Sequence, residues 1–199
     1  MTLLFAVPRN EEVVRAWATG LARKRAPEEL ASVASFFVSR VDGKADKGLA
    51  TMAGSEAQRL KGRIAVANAK LAYRRLRTLL SEPPIVAQLE RGARVQRPLW
   101  ASTSTKNPAY RDVIYVEQLI GPRSINTMPP ATIVASRDHA EIKRTVDQDV
   151  DQARKDIAAI EKAGVLMKDV TDKLLVEGLA SFQKSFDSLI AGLEKKRSL

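Results

Sequence analysis

Two short stretches concentrate side chains able to grip a ligand. Ser35, Phe37, Ser39, Arg40 and Asp42 fall within VASFFVSRVD, and Ser102, Thr103, Ser104, Thr105, Lys106 and Asn107 fall within ASTSTKN. Asn126 and Thr127 add an amide and a hydroxyl farther on. The set is rich in hydroxyls, amides and two cations and poor in carboxylates. That chemistry suits a phosphorylated, hydroxyl-rich ligand, because a guanidinium meets phosphate in a bidentate fork. Each group also has a plainer reading. Arg40 could pair with Asp42 or Asp46, and the hydroxyls of 102–105 could serve turns and caps. Lys106 could form a Schiff base if desolvated, but a lone lysine in a polar loop reads first as a solvated or phosphate-facing cation. His139, between Asp138 and Glu141, reads as a surface residue. The sequence has no nucleophilic triad, P-loop or GxGxxG.

Composition removes other chemistries. With no cysteine among 199 residues, disulfides, zinc-thiolate sites and thiol catalysis are excluded, and a reducing cytoplasm is compatible. One histidine cannot build a multi-histidine metal site. No apolar run approaches the ~20 residues that cross a bilayer, and no charged region precedes the apolar start, so no membrane segment or leader is expected. The net charge of +10 invites a nucleic-acid reading, but its distribution weakens it. Residues 1–99 hold 18 cationic against 9 acidic side chains, residues 100–199 hold 15 against 14. The basic runs at 23–25, 59–63 and 74–77 have helical spacing and, apart from Tyr73, no interleaved aromatics, unlike stacking nucleic-acid modules. They read as solvated helix faces, and a positive field also suits a phosphorylated small molecule.

The elements that must position these residues alternate. MTLLFAV reads as a short strand closed by Pro8, and 9–24 as a helix with Val13, Val14, Trp17 and Leu21 on one face. The run 30–39 reads as a strand buried on both sides, and 41–48 as a polar turn. A single helix is expected from Glu56 to Leu80, ended by Pro83 and Pro84, with a shorter one over 85–92. Residues 97–102 form the third strand, 112–119 a helix and 124–128 the fourth strand. Helices follow at 131–136, within 138–162, and at 169–196, where Val170, Leu174, Leu175, Phe182, Phe186, Leu189 and Leu193 make an apolar stripe. Strands alternating with helices imply an α/β fold with a parallel sheet and right-handed crossovers. Four units make half of a (β/α)8 barrel or one small open sheet. In either, ligands bind beyond the C-terminal strand ends, where the hydroxyls and cations lie.

The segments TLLF (2–5), VASFFVSRVD (33–42), GRIAVANAKLAY (62–73), RPLWASTSTKNPAY (97–110), YVEQLIGP (115–122) and INTMPPAT (125–132) resemble transaldolase, in its longer bacterial and plastid-type form. DVDQAR (149–154), AGVLMKDVTDKL (163–174) and the final helix extend the likeness over essentially all 199 residues. The resemblance implies a TIM-type (β/α)8 barrel enzyme of the pentose phosphate pathway. Such an enzyme moves a dihydroxyacetone unit between sugar phosphates through a Schiff-base lysine, without a cofactor or metal, in the cytoplasm. By the same resemblance Ser35 and Arg40 match phosphate-gripping positions on the sixth strand, and Phe37 a pocket-lining aromatic. Lys106 matches a second phosphate-facing cation after the seventh strand, and Thr2 the fifth-strand threonine that helps hold the catalytic water.

The departures from the family pattern are specific. The Schiff-base lysine on the fourth strand, the acid/base glutamate on the third and the aspartate on the first have no counterpart here. The likeness begins at the fifth strand, with an asparagine expected one residue before Met1 and a small apolar residue expected in place of Met1. Ser104 stands where glycine is common, Pro130 where an acidic residue is common, and Gly43-Lys44 in a loop usually richer in acid. The expectation is therefore strands five to eight of the barrel over 1–199, with 163–199 as a helical segment packing on it. Half a barrel leaves unpaired sheet edges. That favours an N-terminal half-barrel partner or self-association, while the resemblance implies sugar-phosphate ligands and the charge distribution and short apolar runs argue for neither nucleic acid nor membrane.

Overall fold

The computed structural model describes residues 2–52 and 54–197; the expectation for Met1 lies outside them. The first polar group to find a place is Thr2, whose Oγ1 accepts the Ser35 amide at 2.7 Å. Leu4 then forms an isolated parallel bridge with Phe36. The chain enters helix α1 (Val7–Ala22) directly, because Pro8 in the first turn gives up only an amide that a helix start leaves unpaired anyway. Instead of a full first strand, the structure thus has this single bridge.

Strands β1 (Val33–Phe37), β2 (Arg97–Ala101) and β3 (Ile125–Asn126) form an open parallel sheet in the order β1-β2-β3. Ser35 lies beside Leu99, which lies beside Ile125. The expected fourth-strand segment 124–128 pairs over two residues only, so the sheet has three strands plus the Leu4 bridge rather than four full strands. Side chains alternate across it. Ala34, Phe36 and Trp100 point into the core, while Ser35, Phe37, Leu99 and Ile125 occupy the other, half-open face. Phe36 and Trp100 meet edge to face at 6.1 Å, and the Trp100 indole N–H donates to the Leu119 carbonyl at 3.1 Å.

Residues 41–48 are not a turn. They belong to helix α2 (Ser39–Ala50), because Val41, Ala45 and Leu49 recur every four residues and are completely buried. The Gly, Asp and Lys between them gave the segment its turn-like look. Gly48 is needed for packing, since a Cβ there would sit 2.7 Å from Val165 Cγ2. The expected helix from Glu56 to Leu80 is two, α3 (Ser55–Leu60) and α4 (Ile64–Leu79). They break at Gly62, whose φ of +71° and contact with the Tyr110 ring leave no room for a side chain. Pro83 and Pro84 begin helix α5 (Pro83–Glu90). Helix α6 covers only Ile114–Glu117.

The chain continues through α7 (Pro130–His139), α8 (Val150–Lys162) and α9 (Met167–Arg197). The main core joins the sheet to α2, α4, α8 and the start of α9, and Val14, Ala18, Leu76, Leu79 and Ile85 form a second cluster under α1, α4 and α5. On α9 the apolar stripe divides. Val170 and Leu174 are buried, whereas Phe182, Phe186, Leu189 and Leu193 are exposed. Among the described residues no helix is long and apolar enough to cross a membrane.

Candidate functional site

The half-open face of β1 carries three of the residues singled out by sequence. Ser35 and Phe37 share that face, and Phe37 leans on Phe5 with ring centroids 5.4 Å apart. Arg40, in the first turn of α2, lays its guanidinium over the Phe37 ring, 5.6 Å from the centroid, and is itself exposed. It makes no ion pair with either suggested partner. Asp42 is 1% exposed and accepts the Ala65 amide and the Tyr115 hydroxyl, both at 2.7 Å. Asp46 accepts the Gly62 amide at 3.1 Å and the Tyr110 hydroxyl at 2.6 Å. The structural alternative for Arg40 is therefore gone, because both carboxylates are turned to other work. Thr2, by accepting the Ser35 amide, is held against the same strand with its hydroxyl proton still available.

Lys106 lies apart. Its ammonium donates to Ser104 Oγ at 2.6 Å and faces a cleft of about 520 Å³ bounded by Ser39, Lys47, Lys61 and Tyr110. Ser35, Phe37 and Arg40 do not line that cleft. The hydroxyl run before it is mostly structural. Ser102, at φ +57°, meets Ser39 Oγ at 3.0 Å and ties the ends of β1 and β2 together. Thr103 donates to Asn126 Oδ1 at 2.7 Å, and Thr127 donates to the Trp100 carbonyl at 3.1 Å. Strand-end bonding thus accounts for Ser102 and Thr103, in line with the plainer reading of the 102–105 hydroxyls, and for Asn126 and Thr127 as well.

Four cations of the basic runs are paired with carboxylates. Arg59 and Arg63 hold the buried Asp156, Arg75 holds Glu11, and Arg77 holds Asp147. His139 sits at the surface, as expected, and bridges Asp112 at 2.9 Å and Asp138 at 3.1 Å. These hydrogen bonds raise its pKa above the ordinary imidazole value. Among the described residues no His, Cys, Asp or Glu cluster could hold a metal ion.

Two roles lay outside the sequence pattern. One is that of Asp42 and Asp46, named there only beside Arg40: four apart, they are a helical pair whose spacing could have revealed α2. Burial pushes the Asp42 carboxyl up to about 7, against the lowering effect of its hydrogen bonds. The other is Lys70, only 4% exposed within the helix layer, whose pKa burial pushes down. Its place in the apolar stripe Val66, Ala67, Lys70 was the available signal.

Comparison with known proteins gives this geometry a family. The family model described as Transaldolase/Fructose-6-phosphate aldolase matches residues 1–193. The chain is 44% identical over 200 residues to Transaldolase 1 of Streptomyces coelicolor, covering 98% of this chain and 52% of that protein. It is 41% identical over 201 residues to the Transaldolase of Frankia alni, with 98% and 54% covered. It is also 41% identical over 214 residues to Transaldolase 2 of Nostoc sp., with 100% and 56% covered. The chain thus spans about half the length of the curated relatives it matches. It belongs to the transaldolase/fructose-6-phosphate aldolase family.

Proposed function

We propose that this chain forms the phosphate-gripping side, strands five to eight, of a transaldolase-type (β/α)8 barrel, with 163–199 as its terminal helical segment. The complete barrel would transfer a dihydroxyacetone unit from a ketose phosphate to an aldose phosphate through a Schiff-base lysine, without a cofactor. In this reading Arg40 and Ser35 hold the substrate phosphate and Phe37 lines the pocket. Lys106 serves as a second cation at the neighbouring strand end, and Thr2 orients the catalytic water. The imine-forming lysine comes from residues outside this sequence, on the same polypeptide or on a second chain. Within these residues Lys70 is the one lysine that is buried, and it lies between helices rather than beside Ser35 and Phe37. Alone, the chain would hold a sugar phosphate without reacting.

The observation that carries the reading is Arg40. It is exposed, free of any ion pair among the described residues, and propped over Phe37 on the strand that presents Ser35. A cation preorganised in this way has no structural employment. The half-open sheet face beside it is the surface that the rest of a barrel would enclose, which agrees with the half-length coverage of the relatives. Self-association is the other way to cover that face. Nucleic acid has no part in the reading, because the basic runs carry no interleaved aromatics apart from Tyr73 and no recognisable reading motif.

The test is a titration of the chain with fructose 6-phosphate followed by calorimetry. Arg40→Ala removes charge-assisted bonds worth ~1.5–3 kcal/mol, which should weaken binding by about 10-fold to 100-fold. Arg40→Lys should fall between, since an ammonium lacks the planar fork. Equal affinity in all three proteins would refute the assignment.

A further inference from the structure

A cleft of about 290 Å³ opens between α4, α6 and the start of α8, and none of Ser35, Phe37 and Arg40 lines it. Its lining includes four polar groups with bonding capacity to spare. Lys70 and Gln118 form one bonded pair. Lys70 as a residue is almost fully buried, yet the one hydrogen bond of its ammonium, to Gln118 Oε1, is 3.4 Å long. Two ammonium protons and the Gln118 amide N–H remain to donate. Asp149 and Gln152, from the start of α8, line it as well. Asp149 occupies the cap position of α8 at φ +54° without making a side-chain cap, and its carboxylate has no hydrogen bond or ion pair among the described residues. Gln152 gives its Nε2 to Asp156 at 2.9 Å, which leaves its Oε1 to accept. The two other charges on the wall, Arg63 and Asp156, hold each other at 3.0 Å. Val66, Ile114 and Ala153 complete an apolar lining.

Lys70 and Asp149 therefore face one cavity with opposite charges and no salt bridge between them. Burying an ammonium without a contacting anion is costly: burial pushes the pKa of Lys70 down, and the Asp149 charge across the cleft offsets that only in part. A neutral solute would leave that cost standing. A molecule with a negative pole for Lys70 and Gln118 and a positive pole for Asp149 and Gln152 would remove it. We propose that this cleft is a binding site for a small zwitterion of the α-amino-acid class with an apolar side chain. The carboxylate goes to the Lys70 floor, the ammonium to the Asp149 rim, and the side chain lies against Val66, Ile114 and Ala153. Such a lining, mostly apolar with a few converging polar groups, is the usual character of a small-molecule site.

The experiment uses the full chain and L-leucine as the probe, with isovalerate and isoamylamine, which each lack one pole, and glycerol as a neutral competitor. Saturable leucine binding by calorimetry is expected, with both single-pole analogues weaker by tenfold or more. Asp149→Asn keeps a residue tolerant of the left-handed backbone and should weaken leucine by at least tenfold. Lys70→Gln should do the same while circular dichroism remains native. If that variant fails to fold, Asp149→Asn at the exposed rim still decides. No leucine binding, binding unchanged in Asp149→Asn, or displacement of leucine by glycerol would each overturn the proposal.

Discussion

Asp42 offers a sharp test of how the candidate site is held. Its carboxyl sits under the start of α2, two residues from Arg40, and ties that turn to α4 through the Ala65 amide and to α6 through Tyr115. Burial raises it to about 7, so between the ordinary carboxylate range and about 7 the native state keeps a proton that the unfolded chain has released. Stability therefore falls as pH rises through that window and levels off above it. The slope is about 1.4 kcal/mol per pH unit, so some 2–3 kcal/mol should be lost between about pH 5 and pH 8.

Asp42→Asn mimics the protonated acid and lacks this loss, while other titrating groups cancel between the two proteins. Urea unfolding followed by the fluorescence of buried Trp100 would measure both. Asp42→Asn should match the wild type near pH 5 to within about 1 kcal/mol and exceed it by ~2–3 kcal/mol near pH 8. Asp42→Ala, which strands the Ala65 amide and the buried Tyr115 hydroxyl, should lose ~2–4 kcal/mol already at pH 5. A difference between wild type and Asp42→Asn that stays flat from pH 5 to pH 8, or widens toward acid, would refute the reasoning.

Other outcomes follow from single features. Gly62→Ala puts a Cβ against the Tyr110 ring at a positive φ, and should lower the urea midpoint by the equivalent of ~1–3 kcal/mol. Thr2→Val removes the acceptor of the Ser35 amide, so hydrogen exchange at that amide should quicken by about fivefold or more, the equivalent of ~1 kcal/mol. His139, the sole histidine, gives one imidazole titration by NMR, with its midpoint above the ordinary value. Asp112→Asn should lower that midpoint. Because the folded value is raised, the stabilising contact with Asp112 is complete below the unfolded imidazole pKa and fades as pH rises through the folded one.

The parts legible in the sequence were those with an unbroken period or an uninterrupted apolar run. The strand at 33–37 announced itself through Val and Phe and that at 97–101 through Leu and Trp, and the strand-end placement of Ser35, Phe37 and Arg40 followed. What stayed hidden has identifiable causes. In α2 the apolar positions Val41, Ala45 and Leu49 are outnumbered by Gly, Asp and Lys, and only the tertiary hydrogen bonds to buried Asp42 and half-buried Asp46 explain why those acids are there. The break at Gly62 depends on Tyr110, nearly fifty residues downstream, which no local pattern reports. The N-terminal strand shrinks to a bridge because α1 starts at Val7, a choice Pro8 permits at either kind of boundary. The separation of Lys106 from Arg40 is a property of the loop after β2, whose hydroxyls are absorbed by strand-end hydrogen bonds.

The central claim is that this chain supplies the phosphate grip while the imine-forming lysine lies elsewhere. It is tested most directly by incubation with fructose 6-phosphate and borohydride, followed by mass analysis of each polypeptide. The chain is assayed alone and mixed with the part of Streptomyces coelicolor Transaldolase 1 that it does not match. The account predicts no adduct on the chain alone. In the mixture it predicts a borohydride-stable adduct on a lysine of the added part, diminished when Arg40→Ala replaces the wild type. A specific adduct on Lys106 or Lys70 of the chain alone, or trapping in the mixture that is indifferent to Arg40, would contradict it.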